Sequence, residues 1–249
     1  MPKFTVDILA ALLFEFFEGR SLRSLEMSYG WDHSVIYKKL AIVVEIIYPI
    51  AHREFCNTRL RIGPISQLDE IYLGTIWGKR PLINIVSTIE GTNASIILVL
   101  KLMKNASDVE ILRAIRLAMA RAPQKLKQIE LDPFGSHMSK RFRRIVQDRW
   151  KINLRYKERI AGRSQLYRSE GINNLIATRL RSGLHGNTLF MTQGLWIHLV
   201  FAHKREDLGY LSPFEYARGY PFLEENGWKY LILKVYPLLK RKFKRSLEI

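Results

Sequence analysis

The sequence lacks the features of a disulfide-bonded or membrane-spanning protein. Cys56 is its only cysteine, which excludes an intramolecular disulfide framework and any zinc site built from several cysteines. The longest apolar stretches, residues 42–51 and 94–100, are too short to cross a bilayer. The N-terminus is followed by Asp7 and Glu15 and does not resemble a cleavable signal peptide. We therefore expect a cytoplasmic protein without a membrane partner.

Acidic residues are scarce relative to basic ones. The chain has 23 Asp and Glu against 40 Lys and Arg, a formal net charge of +17. Such an excess predicts binding to a polyanion, and we expect double-stranded DNA and association with the nucleoid. A basic but inert surface is the alternative. A glycine-rich phosphate loop, a Gly-x-Ser-x-Gly string and a compact set of histidines are also missing, which argues against the enzyme classes built on them.

The first part of the chain has helical periodicity and two capping signals. Ser21 and Asp32 are N-cap residues for two short helices that flank Gly30. This layout is typical of a helix-turn-helix, whose second helix enters the major groove of DNA. A three-helix bundle used for dimerisation is the alternative. Pro49 is expected to kink or break the apolar helix that follows, residues 42–56. The exposed candidates for DNA contact on the second helix are His33, Ser34, Tyr37 and Lys38.

From residue 65 the pattern changes to short runs rich in Ile, Val and Leu, separated by turns and then by helical segments. The predicted strands are 65–77, 82–90, 94–102, 127–132 and 151–156, and the predicted helices are 107–122, 136–150 and 168–183. This order predicts an α/β fold, a ribonuclease-H-like mixed five-stranded sheet flanked by helices, preceded by an all-α helix-turn-helix domain. The first and fourth strands lie side by side in that architecture.

Composition and pattern together predict four segments. They are a helix-turn-helix DNA-binding domain at 1–57, a linker at 58–64, a ribonuclease-H-like catalytic domain at 65–220 and a basic C-terminal segment at 221–249. We interpret the C-terminal run of lysine and arginine, residues 240–245, as a solvated tail that adds nonspecific DNA affinity. The aromatic residues just before it, beginning at Trp228, are expected to pack rather than to stack on bases.

Three acidic residues stand out in this basic chain: Asp69, Asp132 and Glu170. Asp69 lies in the first predicted strand and Asp132 ends the fourth, so the two are expected to be neighbours. A helix crossing nearby would supply Glu170. A charge buried in an apolar strand is costly without a partner or a metal. Carboxylates of this kind suit Mg²⁺ or Mn²⁺, and two such ions can activate the attacking oxygen and stabilise the leaving oxygen of a phosphodiester.

Each carboxylate also has a purely structural interpretation. Asp69 and Glu70 could form an exposed pair at a strand edge, and Asp132 could simply end its strand. Glu170 could be a solvated carboxylate in the first turn of a helix, and Glu158 is then a second candidate for the third ligand. If the site is real, Glu70 is expected to support the metal ligands from the position next to Asp69.

Several motifs in this order resemble the DDE-class transposases of prokaryotic insertion sequences. Leu-Asp-Glu-Ile-Tyr-Leu-Gly, followed by Lys79 and Arg80 before the second strand, is similar to the first catalytic strand of that family. Ile-Glu-Leu-Asp ends the fourth strand as it does there. Glu170-Gly-Ile-Asn173-Asn174 resembles the Glu-x-x-Asn helix, and Asn173 falls about one turn after Glu170 on the same face. The resemblance covers roughly residues 20–220 and includes the preceding helix-turn-helix.

The resemblance implies a transposase that binds the ends of a mobile element and catalyses metal-dependent cleavage and strand transfer. Asp69, Asp132 and Glu170 would be the catalytic ligands of Mg²⁺ or Mn²⁺. Water would first release a 3′-hydroxyl, which would then attack target DNA in line. A homo-oligomer is implied because two terminal repeats must be joined to one target. The basic residues expected to hold the DNA backbone include Arg141, Arg143, Arg144, Arg179 and Arg181.

The chain departs from the family pattern at two positions. Pro133 follows the second aspartate, where the family usually has the glycine that comes here at Gly135. Some branches carry the glutamate in an Asn-x-hydrophobic-Glu string, and the nearest match here, residues 174–177, ends in Ala177. Two alternatives therefore stay open. An inactive, transposase-derived DNA-binding protein predicts metal-independent binding without cleavage, and a nuclease of the same fold predicts cutting without joining.

Overall fold

The computed structural model describes residues 4–72, 81–105, 107–122, 126–133, 135–157, 166–181, 188–243 and 247–248. The helices are α1 (Val6–Phe17), α2 (Leu22–Tyr29), α3 (His33–Asn57), α4 (Asp108–Arg121), α5 (Lys140–Arg143), α6 (Tyr167–Arg181), α7 (Thr188–Ile197), α8 (Pro213–Arg218) and α9 (Gly227–Phe243). The strands are β1 (Phe4–Thr5), β2 (Ile62–Tyr72), β3 (Pro81–Ile89), β4 (Ser95–Leu102), β5 (Gln128–Leu131), β6 (Asn153–Tyr156) and β7 (Leu247–Glu248).

The chain forms two compact units. Unit 1 combines Met1–Thr58 with Arg181–Ile249, and unit 2 consists of Arg59–Leu180. The predicted catalytic domain, 65–220, therefore extends beyond unit 2, and the predicted separate segment 221–249 belongs to unit 1. The reason is that α9 contacts α1 and α3 and buries an apolar face there. The chain enters and leaves unit 2 through unit 1.

The two predicted caps shape the start of unit 1. The Ser21 hydroxyl accepts from the backbone N–H of Ser24 at 3.1 Å, and Asp32 Oδ1 accepts from that of Ser34 at 2.8 Å. Gly30 ends α2 in the left-handed region at φ 69°, which a side chain would disfavour. The predicted order of helix, glycine turn and helix is thus present, and its recognition of DNA stays a prediction.

Pro49 was predicted to kink or break its helix, and it does not break it: α3 runs from His33 to Asn57 with Pro49 inside. Proline removes one backbone hydrogen bond and crowds the preceding turn. Burial on both sides offsets that cost, because the helix is covered before the proline at Ile47 and after it at Ala51 and Phe55. Tertiary packing therefore decides the length of α3.

The C-terminal aromatic segment is core rather than tail. In α9, Trp228, Leu231 and Leu239 are fully buried, which confirms the prediction that Trp228 packs. The lysines and arginines of the last turn lie on the exposed side up to residue 242, and residues 244–246 lie outside the described residues. The segment is amphipathic: its apolar face is buried, and the basic residues 240–242, part of the run predicted to be solvated, are exposed.

A carboxylate and two histidines form a partly buried network in unit 1. Glu18 Oε1 lies 2.9 Å from His198 Nε2 and 2.7 Å from His203 Nδ1, a grouping that resembles a metal site. Trp228 Nε1 donates to His198 Nδ1 at 3.3 Å. Since an indole N–H only donates, His198 must carry its proton on Nε2 and donate it to Glu18. The His198 nitrogen that faces Glu18 therefore carries a proton, whereas a metal ligand would need a free lone pair on that nitrogen.

This network predicts acid sensitivity. Burial raises the pKa of Glu18, but the hydrogen bonds from His198 and His203 outweigh it and hold the pKa below its ordinary value. A carboxyl with a lowered folded-state pKa stabilises the fold above its unfolded pKa, and that stabilisation is lost as pH falls. We expect Glu18→Gln to cost about 1–2 kcal/mol at pH 7. Urea denaturation at pH 7 and pH 3.5 should show this difference shrinking in acid, and a constant difference would contradict the assignment.

Unit 2 is built on a mixed sheet with strand order β4-β3-β2-β5-β6. The pairs β4–β3 and β3–β2 are antiparallel, and the pairs β2–β5 and β5–β6 are parallel. Helix α4 packs on β3 and β4. The predicted fold class, a ribonuclease-H-like five-stranded sheet flanked by helices, is confirmed by this order. It places β2 and β5, the first and fourth strands of the sheet in chain order, next to each other.

Two element boundaries in unit 2 differ from the prediction. The predicted linker 58–64 already contributes residues to β2, because Ile62 pairs with Ile89 and the Ser87 hydroxyl donates to the Gly63 carbonyl at 3.0 Å. The predicted helix 136–150 is a 3-10 turn at Gly135–Met138, then α5, then a π-helical stretch at Arg144–Arg149. In the described part of the chain, no helix combines the length and apolar character needed to span a bilayer.

Candidate active site

The two predicted aspartates lie on neighbouring parallel strands: Asp69 is inside β2, and Asp132 directly follows β5. Leu68 of β2 pairs with Leu131 of β5, so Asp69 and Asp132 occupy the next position of the same register. Burial raises the pKa of Asp69 to about 6, and the charges of Asp132 and Glu70 add to the rise. Hydrogen bonds from the Glu70 backbone and from Asn173 oppose it only in part. Two carboxylates thus lie at neighbouring positions of two inner strands, where their mutual repulsion favours a bound cation.

Asn173 connects α6 to the first aspartate. Its Nδ2 donates to Asp69 Oδ2 at 2.7 Å, and its Oδ1 accepts from Asn84 Nδ2 at 3.0 Å. Asn84 is fully buried and lies opposite Asp69 in the β2–β3 pairing. Since an amide bonded on both sides has a fixed orientation, the chain of contacts aims one oxygen of Asp69. Asn84 was missed in the sequence, where a polar residue in an otherwise apolar strand was its only signal.

Glu170 lies in the first turn of α6 and is exposed. Among the described residues, Glu18, His198 and His203 of unit 1 bring their ligand atoms within 4.8 Å of one another. Glu170 does not approach Asp69 and Asp132 in this way. It precedes by one turn the Asn173 that reaches Asp69. The structure therefore brings two of the three predicted ligands together and places the third at the exposed start of the adjoining helix. The other candidate, Glu158, lies outside the described residues.

A buried histidine connects Glu70 of β2 with Asp132, the residue after β5. His137 Nδ1 lies 3.2 Å from the Asp132 carbonyl oxygen, and its Nε2 lies 3.1 Å from Glu70 Oε1. The Tyr156 hydroxyl donates to the His137 carbonyl at 2.8 Å. Burial lowers the pKa of His137, but the hydrogen bond and charge of Glu70 outweigh it and raise the pKa. Glu70 therefore acts through His137, which holds the turn that carries Asp132.

The residues predicted to contact DNA fall into two groups. In unit 1, His33 pairs with Glu26 at 3.1 Å, Ser34 is held by the cap Asp32, and the ring of Tyr37 packs edge-on against Phe190. In unit 2 the Arg143 Nη2 donates to the Met138 carbonyl. The predicted contacts that are exposed and described are His33, Ser34, Lys38, Arg141 and Arg144. Arg179 is half-buried, and the side chain of Arg181, with Lys79 and Arg80, lies outside the described residues.

Comparisons with known proteins give structural neighbours only. No protein-family model matches the chain, and no curated protein matches it. One similar solved structure is the HTLV-2 integrase catalytic core domain in complex with magnesium, in its dimeric form. It has 16% identity and a TM-score of 0.47, covering 66% of this chain and 100% of that one. The BIV integrase catalytic core domain has 12% identity and a TM-score of 0.41, covering 62% and 93%.

A third similar structure is the simian T-cell lymphotropic virus intasome in complex with PP2A regulatory subunit B56 gamma. It has 17% identity and a TM-score of 0.43, covering 68% of this chain and 61% of that one. These three neighbours are retroviral integrase structures, and none of the three is a prokaryotic transposase. The fold assignment given above comes from the strand order of unit 2.

Proposed function

We propose that the protein is a metal-dependent polynucleotidyl transferase, a transposase that cuts and joins DNA strands. The observation that carries the proposal is the pair Asp69 and Asp132, which directly follow the last residue pair of the β2–β5 ladder in a chain of net charge +17. The raised pKa of Asp69, beside a second carboxylate, is an unusual feature in so basic a protein, and perturbed carboxylates cluster at functional sites. The positive charge suits a phosphate backbone.

The residues at this edge fit a divalent metal. Their donors are oxygens, which Mg²⁺ and Mn²⁺ prefer, and the repulsion between Asp69 and Asp132 is what a cation would relieve. The metal-bound integrase core domain similar to this chain adds support. We propose that Asp69, Asp132 and Glu170 hold two Mg²⁺ or Mn²⁺ ions. Bound ions of this kind activate the attacking oxygen of a phosphodiester and stabilise the leaving oxygen.

The chain's own residues then have distinct tasks. Asn173 aims Asp69, and His137 fixes the turn that carries Asp132. Glu170 is exposed, so its side chain can reorient toward the pair without displacing packed neighbours. The exposed arginines before β6 and the arginines of α6 hold the DNA backbone, and α2 and α3 recognise the ends of the element. Joining two ends requires at least two copies of the chain, so we propose that the active form is a homo-oligomer.

Strand cleavage and joining on labelled DNA with the element's own ends tests the function. Metal-dependent products of both cutting and joining are expected with the full chain and Mg²⁺ or Mn²⁺. Cutting without joining would instead support a nuclease of the same fold. Tight binding with no products would support an inactive DNA-binding relative.

A thermal-shift experiment tests the metal site separately. Asp69→Asn removes one of two neighbouring charges, so we expect it to stabilise the metal-free protein by about 1–2 kcal/mol at pH 7.5. Mn²⁺ should raise the melting temperature of the wild type through ligand binding to the folded state, but not that of Asp69→Asn. Asp108→Asn, which alters an aspartate in the first turn of α4, is the matched control and should respond to Mn²⁺ as the wild type does. An equal shift in all three proteins would contradict the site.

A further inference from the structure

Gln67 is a buried polar side chain that the proposed function does not yet use. It lies on β2 two residues before Asp69 and therefore on the same face of the sheet. Only 1% of it is exposed, and both ends of its amide are bonded. Oε1 accepts from the backbone N–H groups of Arg168 and Ser169 at 3.0 and 3.1 Å. Nε2 donates to Glu130 Oε2 at 3.1 Å.

The two backbone N–H groups that donate to Gln67 belong to the first turn of α6. Helix N-termini leave their first N–H groups without an intrahelical partner, and a nearby side chain usually supplies one. Here the acceptor comes from a strand about 100 residues earlier, as the separations of 101 and 102 positions show. Gln67 thus fastens the start of α6 to the sheet, where an N-cap residue of the helix itself would only close its own turn.

The orientation of the Gln67 amide is set by Glu130, its register partner on β5. Glu130 is held in turn by Lys157 Nζ at 3.1 Å and Arg155 Nη1 at 3.8 Å. A carboxylate accepts only, so it selects the amide nitrogen and turns the amide oxygen toward α6. Glu130 stands two residues before Asp132, as Gln67 stands two residues before Asp69. The Gln67–Glu130 pair and the Asp69–Asp132 pair therefore lie next to each other on one face of the sheet.

We propose that Gln67 is a positioning residue for Glu170. This inference rests on the proposed function. Helix α6 is fixed at two places, by Gln67 at Arg168 and Ser169 and by Asn173 at Asp69. Glu170 lies between them. Since a helix advances about 1.5 Å and turns about 100° per residue, two fixed points set both the height and the rotation of everything between them.

Mn²⁺ binding to the full chain tests this role. Gln67→Met keeps the length of the side chain and removes its hydrogen bonds. We expect it to weaken Mn²⁺ binding about 10- to 100-fold, the usual cost of losing a group that orients a ligand. In a Glu170→Gln background, Gln67→Met should cause no further loss, because it acts through Glu170. Equal losses in both backgrounds would overturn the proposal, since a general structural defect would weaken both.

A rescue and a backbone measurement complete the test. Exchanging the pair, Gln67→Glu with Glu130→Gln, keeps an acceptor for α6 and a hydrogen bond between the strands, and should restore most of the binding. Hydrogen exchange of the metal-free protein should show faster exchange at Arg168 and Ser169 in Gln67→Met. Ser87→Ala, another buried polar change in this sheet, should leave those two amides and Mn²⁺ binding unchanged. Unaltered exchange in Gln67→Met would overturn the anchor.

The outcomes separate the two proposals. If the wild type binds no Mn²⁺, the proposed function fails, and the role of Gln67 at a metal site fails with it. If the wild type binds Mn²⁺ and Gln67→Met binds it equally well, only the role of Gln67 is overturned.

Discussion

Asp132→Asn is expected to lower the rate of metal-dependent strand cleavage by about 10³-fold or more. The change keeps the size of the side chain but removes the charge that, with Asp69, would hold the metal. Metal ions supply several kcal/mol of transition-state stabilisation, and each 1.4 kcal/mol is about tenfold in rate. DNA affinity should stay within about threefold of the wild type, because phosphate contacts by lysine and arginine dominate it. Single-turnover cleavage and a filter-binding titration measure the two quantities.

The control for this variant is Asp148→Asn. Asp148 is exposed in the π-helical stretch before β6 and lies on no strand end. Its neutralisation changes the net charge of the chain by the same amount, so any effect of charge on DNA binding appears in both variants. Cleavage by Asp148→Asn should match the wild type. If Asp132→Asn cleaved at more than a tenth of the wild-type rate, Asp132 would not be a catalytic ligand.

Gly227→Ala is expected to destabilise unit 1 by about 3 kcal/mol or more. Gly227 is the first residue of α9, and a Cβ there would lie 1.9 Å from the Phe201 carbonyl oxygen. That neighbour is backbone, so no side-chain rotation relieves the clash, and α9 would have to move away from the contact. In urea denaturation followed by near-ultraviolet circular dichroism, the signal of the buried tryptophans, which include Trp196 and Trp228 of unit 1, should be lost at a lower urea concentration than in the wild type.

Gly171→Ala is the matched control for Gly227→Ala. Gly171 also lies in a helix, α6, and a Cβ there would meet no atom within 4 Å. Alanine favours the helix over glycine by about 1 kcal/mol, so this variant should be as stable as the wild type or more so. A similar loss of stability in both variants would show that the clash with Phe201 is not the cause.

The central part of the site could be predicted from the sequence because sheets have a simple period. Asp69 and Asp132 each interrupt or end an apolar run, and the order of elements places their strands side by side. The same period held a further signal that the prediction did not use. Gln67 and Glu130 stand two residues before the aspartates and so share their face, and two polar residues in buried strands indicate a partner above that face.

Other features depended on contacts that no local pattern records. The aromatic residues of α9 indicated that the segment packs, but nothing in it identified α1 and α3 as the helices it packs against. Pro49 predicted a kink or a break in α3, and burial on both sides keeps that helix unbroken. His137 differs from the other histidines only in lying five residues after Asp132, and its role became visible when β2 placed Glu70 beside it. Long-range packing decides each of these features, and short windows of sequence do not contain it.

The construction of unit 1 from both ends of the chain has a consequence for synthesis. Helices α1 and α3 emerge from the ribosome early, but their cover, α9, follows only after the whole of Arg59–Leu180. At about 5–20 residues per second, the delay is on the order of ten seconds. During that interval the apolar faces of the nascent helices, with Leu9, Leu13 and Val44 among their buried residues, lack part of their final cover. Production of this protein should therefore depend strongly on chaperones that bind nascent chains.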